Sequence, residues 1–351
     1  MRTSSSHNQQ ISCENFTTKA STIKKLATHS PFLSSSAHSM PITNTLAFAT
    51  VDVFTTTPFK GNQLAVVRIP PELNLSQETK QTIACEFNLS ETVFLHDPQV
   101  SHAQRRLDIF TLSQELPFAG HPVIGAACYI CQHLETETDQ TIMLCKAGPV
   151  TCHYDRKDNF MEVETPHNVH IHSQTVSGKA VLKTQPYLSN ILAATYYFPI
   201  VSLVRGLSFI LINLPSITPY MEKLEAGTAC IDPSSAKLDE GWEPSLIGFY
   251  FYVIISHPNE IVQKIRTRML EPSVGEDAAT GSAACTLACY LALKDGGSGR
   301  TYQYSIEQGV EMGRASEIHV RVTLDTESKT VHSVVLAGRA VLVTQGLLHL
   351  P

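Results

Sequence analysis

Ala119-Gly120-His121-Pro122-Val123-Ile124-Gly125-Ala126-Ala127-Cys128-Tyr129-Ile130 and Thr280-Gly281-Ser282-Ala283-Ala284-Cys285-Thr286-Leu287-Ala288-Cys289-Tyr290-Leu291 are two versions of one phrase. The glycine near the start and the Ala-Cys-Tyr near the end coincide, and the last position is apolar in both. Each copy reads as a small-residue turn followed by a helix that is apolar nearly all round, so each helix must be buried. Each turn also sets backbone N–H groups at a helix N-terminus, where anions bind. Two similar halves that aim such turns at one place suggest a site gripping both ends of a small anionic substrate. The alternative is a chance similarity of two Ala-rich core helices, because short apolar runs imitate one another easily.

The composition fits this picture. At 351 residues the chain exceeds one typical core and suits two domains. Hydrophobic residues make up 43% and charged residues 17%, as in ordinary soluble globular proteins. A net charge of −6 gives no reason to expect nucleic acid as a partner. The Cys count, 9, is odd, the residues are scattered through apolar runs, and no secretory signal precedes them. Reduced thiols and a cytoplasmic location are expected. Residues 1–44 are rich in Ser and Thr, and Arg2, Lys19, Lys24 and Lys25 face only Glu14. They read as a disordered tail, with a mitochondrial presequence as the lesser reading and Met40 as an alternative start. The most apolar stretch, Ile191 to Ile217, is broken by Arg205, Gly206, Asn213 and Pro215, whereas a membrane helix needs about 20 uninterrupted apolar residues. No membrane association is expected.

Around the repeated phrase, strands are many and helices few. Strands are expected at Leu46–Phe54, Gln63–Ile69, Glu91–Leu95, Arg106–Phe110 and, with a break at Gly148-Pro149, Ile142–Val163. Others are expected near Val201–Leu203, Phe209–Leu214, Tyr250–Ser256, Ile318–Leu324 and Val331–Val343. Ser76 should cap a helix running to about Phe87, a second helix should span about Thr218 to Ala226, and the helix after Thr280 should stop at Asp295-Gly296-Gly297. The fold class is α+β: two sheet-rich domains, each wrapped round a core helix.

Four polar residues stand where the pattern is otherwise apolar or small: Glu91, His121, Asp277 and Ser282. A carboxylate opening an apolar strand, as Glu91 does, is partly desolvated, which raises its pKa toward that of a usable proton shuttle. Each has a plainer explanation. Glu91 could be a solvated strand edge, and His121, Asp277 and Ser282 could be helix caps. Their convergence at two matching turns carries more than any one of them. Cys128-x-x-Cys131, Cys285 and Cys289 read as core packing. His167, His170 and His172 cluster, but nothing nearby is expected to complete a zinc site. No Rossmann, Walker or G-x-S-x-G signature is present.

Several phrases, in order, resemble the PhzF-type (phenazine biosynthesis-like) isomerases of the diaminopimelate-epimerase fold. They are Val51-Asp52-Val53-Phe54, Gly61-Asn62-Gln63-Leu64-Ala65-Val66, Asn88-Leu89-Ser90-Glu91-Thr92-Val93-Phe94 and Glu115-Leu116-Pro117-Phe118-Ala119-Gly120-His121-Pro122. Gly275-Glu276-Asp277-Ala278-Ala279-Thr280-Gly281-Ser282-Ala283 and Gln308-Gly309-Val310-Glu311-Met312-Gly313-Arg314 follow, so that the resemblance spans about residues 46–345. It implies two pseudo-symmetric sheet or barrel domains, each around a central helix, with the site between them. Residues 1–45 would be an extension, 46–165 the N-terminal domain completed by about 336–351, and 166–335 the C-terminal domain. It implies a homodimer, no cofactor and no metal.

By the same resemblance Glu91 is the proton-shuttling acid/base, with His121 and Asp277 beside it and Gly120, Gly281 and Ser282 binding substrate. The best-known activity of the family is a proton shift on a cyclic diene, trans-2,3-dihydro-3-hydroxyanthranilate, in secondary metabolism. The racemase branches of the fold use one Cys at each turn, but here those places read Ala119-Gly120 and Thr280-Gly281, which disfavours a two-thiol mechanism. Gln63 and Ala278 stand where relatives commonly have Pro, Arg205-Gly206 where they often have Thr-Gly, and Ile231–Leu246 is irregular. The expected function is a cofactor-independent isomerase moving a proton by a carboxylate on a small anionic substrate. The alternatives are an inactive binding or regulatory member of the fold, and a hydrolase built on Ser282.

Overall fold

The computed structural model describes residues 44–99, 104–226, 236–257, 260–271, 275–326 and 330–350. The chain divides into two units, Met1–Ile42 and Thr43–Pro351. The expectations for residues 1–43 lie outside the described residues, and everything below concerns the second unit.

The architecture is α+β, mostly sheet, and its strand order repeats. In the first half Thr45–Val53 pairs antiparallel with Asn62–Ile69, which pairs parallel with Glu91–His96. That strand pairs antiparallel with Arg105–Phe110, which folds back on the two-residue strand Glu115–Leu116. In the second half Tyr197–Val204 pairs antiparallel with Leu207–Asn213, then parallel with Leu246–Ile254. Antiparallel Val262–Glu271 and the short Gly275–Asp277 follow. A helix comes next in each half, and then three strands: Gln140–Cys145, Gly148–Asp155 and Phe160–Glu164, or Thr301–Gln308, Ser316–Leu324 and Val331–Gly338. The pairing of Phe160–Glu164 with Val331–Gly338 joins the two sets. Each set is completed by a strand from elsewhere: Ala340–His349 adds to Thr45–Val53, and His170–Ser177 adds to Tyr197–Val204. This strand-for-strand repetition makes the doubled phrase part of a doubled fold.

Four α-helices are described: α1 (Gln77–Phe87), α2 (Gly120–Tyr129), α3 (Gly178–Thr184) and α4 (Gly281–Asp295). All ten residues of α2 are buried, and α4 is buried along nearly its whole length. One continuous core surrounds both, drawing on Val51, Leu64 and Ile109 in the first half and on Phe209, Tyr250 and Ile306 in the second. Each fully buried aliphatic side chain stabilises this arrangement by about 1.5–3 kcal/mol. Helix α1 instead covers the outer face of the first set, against Leu46, Val67, Ile69, Phe94 and Phe110. It starts where expected, with Ser76 Oγ accepting the Thr79 N–H.

The helix expected at 218–226 is not there. A single wide turn, Ile217–Met221, takes its place, and Thr218 has extended backbone angles (φ −95°, ψ 130°). The physical reason is Pro219, whose ring pushes the preceding residue out of the helical region. The strands Val262–Glu271 and Thr301–Gln308 and helix α3 were not expected. The tail read as one run from Val331 to Val343 breaks at Arg339 into two strands serving different sets.

Candidate active site

Glu91 opens a strand whose next four residues are buried, and it lies opposite Leu64 in the parallel pair. The chain reaches it from α1 through Asn88, which adopts the left-handed conformation (φ 51°) and caps the helix by donating its N–H to Ala84. Asn tolerates that conformation better than most residues. The Glu91 carboxylate therefore sits at the buried end of a strand, with its side chain 17% exposed.

His121 is the second residue of α2 and is 4% exposed. Its Nε2 lies 3.5 Å from Glu91 Oε2, a separation that a bound substrate can tighten. Asp277 ends the short strand before α4. One of its carboxylate oxygens accepts the Asn62 amide at 2.8 Å, and the other accepts the Thr280 hydroxyl. Asn62 also donates to the Ala279 carbonyl at 2.9 Å and lies 3.5 Å from His121 Nδ1. The Ser90 hydroxyl donates to its Oδ1 at 3.4 Å. One buried amide thus connects the loop before Glu91 to the turn before α4.

Gln308, wholly buried, closes the far side of the network. Its Nε2 donates to the Asp277 carbonyl (2.9 Å) and to Thr280 Oγ1 (3.0 Å), while its Oε1 accepts from Tyr250 OH (3.1 Å).

The two repeated turns meet. A Cβ on Gly120 would lie 3.3 Å from Gly281 Cα and 2.6 Å from Leu336 Cδ2. A Cβ on Gly281 would lie 3.3 Å from Gly120 Cα and 2.9 Å from the same Leu336 atom. Only glycine lets the helix starts approach this closely, a use of its missing side chain. Neither N-cap residue, Ala119 or Thr280, makes a side-chain cap bond to its helix. The first-turn N–H groups of two helices thus converge, an arrangement suited to an anion. Ser282 occupies in α4 the place that His121 occupies in α2, and it is 9% exposed. Glu91, His121 and Asp277 are therefore gathered with Gly120, Gly281 and Ser282, drawn from both halves.

Burial dominates the electrostatics. It lowers the pKa of His121 below the ordinary imidazole value, against the pull of the Asp277 charge and a backbone hydrogen bond with Gln63. It raises that of Asp277, the nearby Glu91 charge raises it further, and His121, Thr280 and Asn62 pull it down. A neutral imidazole and a carboxyl group whose pKa burial raises stand beside the Glu91 carboxylate. Two carboxyl groups in one buried site do not ionise independently.

Sequence reasoning missed Asn62 and Gln308 as site residues. Both adjoin a motif glycine, Gly61 or Gly309, with positive φ, and that was the available signal. Arg205, flagged as a departure, holds its guanidinium 5.9 Å from the Trp242 ring. Cys128 and Cys131 are buried, and burial pushes the Cys131 thiol up to about 11, which fits packing and not redox chemistry. A surface cavity of about 590 Å³, lined by Thr55, Lys264, Glu307, Glu317 and Arg339 among others, includes none of Glu91, His121, Asp277, Asn62 and Gln308.

The family model described as phenazine biosynthesis-like protein matches residues 51–346. An uncharacterized isomerase of Mesorhizobium japonicum is 31% identical over 314 residues, covering 85% of this chain and 96% of its own length. The trans-2,3-dihydro-3-hydroxyanthranilate isomerase of Pseudomonas aeruginosa is 31% identical over 312 residues, covering 86% of this chain and 99% of its own. A solved phenazine biosynthesis protein of the PhzF family from Bacillus anthracis superposes with a TM-score of 0.67 at 21% identity, over 87% of this chain and 99% of that one. That last likeness concerns the fold alone. With the family matched across both halves and named isomerases among its relatives, this chain belongs to the PhzC/PhzF phenazine biosynthesis-like family and is an isomerase.

Proposed function

We propose that this isomerase shifts a proton between two carbons of one small anionic substrate, with the Glu91 carboxylate as the group that removes and returns it. The observation that carries this reading is the placement of Glu91 Oε2 3.5 Å from the buried His121, beside two abutting helix starts. A substrate carboxylate would sit on the first-turn N–H groups of α2 and α4. Negative charge developing on the substrate as the proton leaves would be stabilised there too.

An ordinary Glu is a weak base toward a C–H bond, so its partners matter. Asp277, whose two carboxylate oxygens accept from Asn62 and Thr280, holds the turn that leads into α4, and neutral His121 can orient the substrate beside Glu91. No thiol stands at either turn, which sets this site apart from two-thiol racemases.

Trans-2,3-dihydro-3-hydroxyanthranilate, the substrate in the name of the Pseudomonas relative, is the first compound to test. Incubation in D₂O followed by proton NMR should show isomerisation with deuterium at the carbon that receives the proton. Failure to turn over this compound and related cyclic acids would refute the substrate class.

A further inference from the structure

Arg314 lies in the second half, between the strands Thr301–Gln308 and Ser316–Leu324, and its side chain reaches into the first. Its Nε donates to the Gly61 carbonyl at 2.8 Å, Nη2 to the Lys60 carbonyl at 2.9 Å and Nη1 to the Phe59 carbonyl at 3.3 Å. Nη2 also donates to Asp52 Oδ1 at 2.6 Å, and Asp52 Oδ2 accepts the Phe59 N–H at 2.6 Å. One planar guanidinium thus holds three consecutive carbonyls of a loop, and the carboxylate behind it bonds both the guanidinium and the loop. The Gly61 N–H donates to the Ala315 carbonyl at 3.1 Å, and Lys60 Nζ to the Gly313 carbonyl at 2.8 Å.

The clamped loop has strained backbone. Phe54 (φ 63°) and Phe59 (φ 66°) both lie in the left-handed region, where a bulky side chain is an outlier. Such conformations cost about 1–3 kcal/mol each and persist only where the surroundings over-determine them. Phe59 is 71% exposed, so packing of its ring does not hold it there; the bonds to Asp52 and Arg314 do.

The loop ends at Gly61, and the next residue is Asn62, whose amide bonds Asp277 and the Ala279 carbonyl. The segment that carries Arg314 grips the other side of that same contact. Gln308 Nε2 donates to the Asp277 carbonyl, and Ser316 Oγ to the Ala278 carbonyl at 3.1 Å. A Cβ on Gly309 would lie 2.5 Å from that Ala278 oxygen. Residues 308–316 therefore hold the turn before α4 with their two ends, and the loop before Asn62 with Arg314.

We propose that Arg314, oriented by Asp52, is a positioning residue for the isomerase site: it sets Asn62 against Asp277 and so registers the parts of the site drawn from the two halves. This role rests on the proton shift assigned above to Glu91. None of the Arg314 side-chain bonds goes to α2 or α4. The clamp therefore bears on the arrangement of the reacting groups and not on the anchoring of a substrate carboxylate.

Arg314→Lys is the discriminating variant. Asp52 is 2% exposed, and a buried carboxylate stripped of its cation is strongly destabilising. Lysine keeps the charge beside Asp52, but an ammonium cannot present a planar fork to three carbonyls. With trans-2,3-dihydro-3-hydroxyanthranilate, at a temperature where the variant is fully folded, kcat should fall about ten- to a hundredfold, as for a misplacement of up to about 1 Å. KM should stay within about threefold, because the helix starts are untouched. A purely structural role would lower the melting temperature and leave kcat of the folded protein unchanged. The crystal structure of Arg314→Lys gives a readout that needs no substrate: Asn62 Nδ2 should lie beyond about 3.5 Å from Asp277 Oδ1, against 2.8 Å here. Asp52→Asn, which turns one acceptor into a donor facing an N–H, should move both readouts in the same direction. If wild type itself fails to turn over the compound, the substrate reading falls, and the variant structure still decides the clamp. The proposal is overturned by a kcat of Arg314→Lys less than about tenfold below wild type, by a loss carried by KM instead, or by an Asn62 amide still bonded to Asp277 in the variant.

Discussion

Gly120→Ala isolates the contact between the two helix starts. Gly120 does not have a positive φ, so an alanine meets no backbone objection. At an exposed helical position the change would stabilise by about 0.5–1 kcal/mol. Here the new methyl would lie 2.6 Å from Leu336 Cδ2 and 3.3 Å from Gly281 Cα, where carbon atoms prefer about 3.5–4.0 Å. Leu336 is wholly buried, so relief requires roughly 1 Å of movement in packed surroundings. Overpacking of this kind costs about 1–3 kcal/mol, which outweighs the propensity gain and leaves a net loss of about 1–2 kcal/mol. In a chain of this size that lowers the melting temperature by roughly 1.5–3 °C. Equilibrium urea unfolding, followed by circular dichroism, measures it. Leu336→Ala alone should cost about 2–5 kcal/mol, but Gly120→Ala added to it should cost much less than in the wild type, because the nearest clashing atom is gone and only the 3.3 Å approach to Gly281 Cα remains. The displaced helix starts should also lower turnover, on the order of 10²-fold for a 1 Å misplacement. A Gly120→Ala protein as stable as wild type, or a strictly additive double variant, would refute the reasoning.

Asn62→Asp turns the donor that holds Asp277 into a third carboxyl of the site, 2.8 Å from Asp277 Oδ1. The new group should have a raised folded-state pKa, so its penalty grows as pH rises through that value, and the variant should lose more stability at pH 8 than at pH 5. Equal loss at both pH values would contradict the like-charge argument. The wild-type melting temperature should fall from pH 7 to pH 5. Burial lowers the pKa of His121, His133, His172 and His319, so each binds fewer protons folded than unfolded, and the stability each contributes, complete above about 6.5, is lost as pH falls. Raised Asp52 and Asp277 act in the opposite sense, and a melting temperature that rose on acidification would mean that they dominate.

The inner helices were legible because α2 and α4 carry small and apolar residues on every side, a pattern that only burial explains. Both are buried as that pattern requires. The strand Val262–Glu271 was not legible because it carries Lys264, Arg266 and Arg268, and charge in a run argues against a core strand. The fold answers with long-range partners: Arg268 is buried against Glu276, with both N–H···O bonds at 2.7 Å. The expected helix at 218–226 failed to a local effect, Pro219, that is visible in the sequence. Glu91, His121 and Asp277 could be singled out as polar residues among small ones, but their common location could not. Asn62 and Gln308 look like ordinary turn and strand residues until the fold brings Asp277 against both.

The central claim is that the Glu91 carboxylate moves a proton on carbon. The most direct measurement compares wild type and Glu91→Gln with trans-2,3-dihydro-3-hydroxyanthranilate in D₂O, reading isomer formation and deuterium incorporation by NMR. The amide keeps the volume of the acid and cannot shuttle a proton. The variant should fold normally by circular dichroism and lose both isomerisation and deuterium uptake by about 10²–10⁴-fold, the range a positioned acid–base group supplies. A folded Glu91→Gln protein that kept more than about a tenth of the wild-type rate would contradict the account.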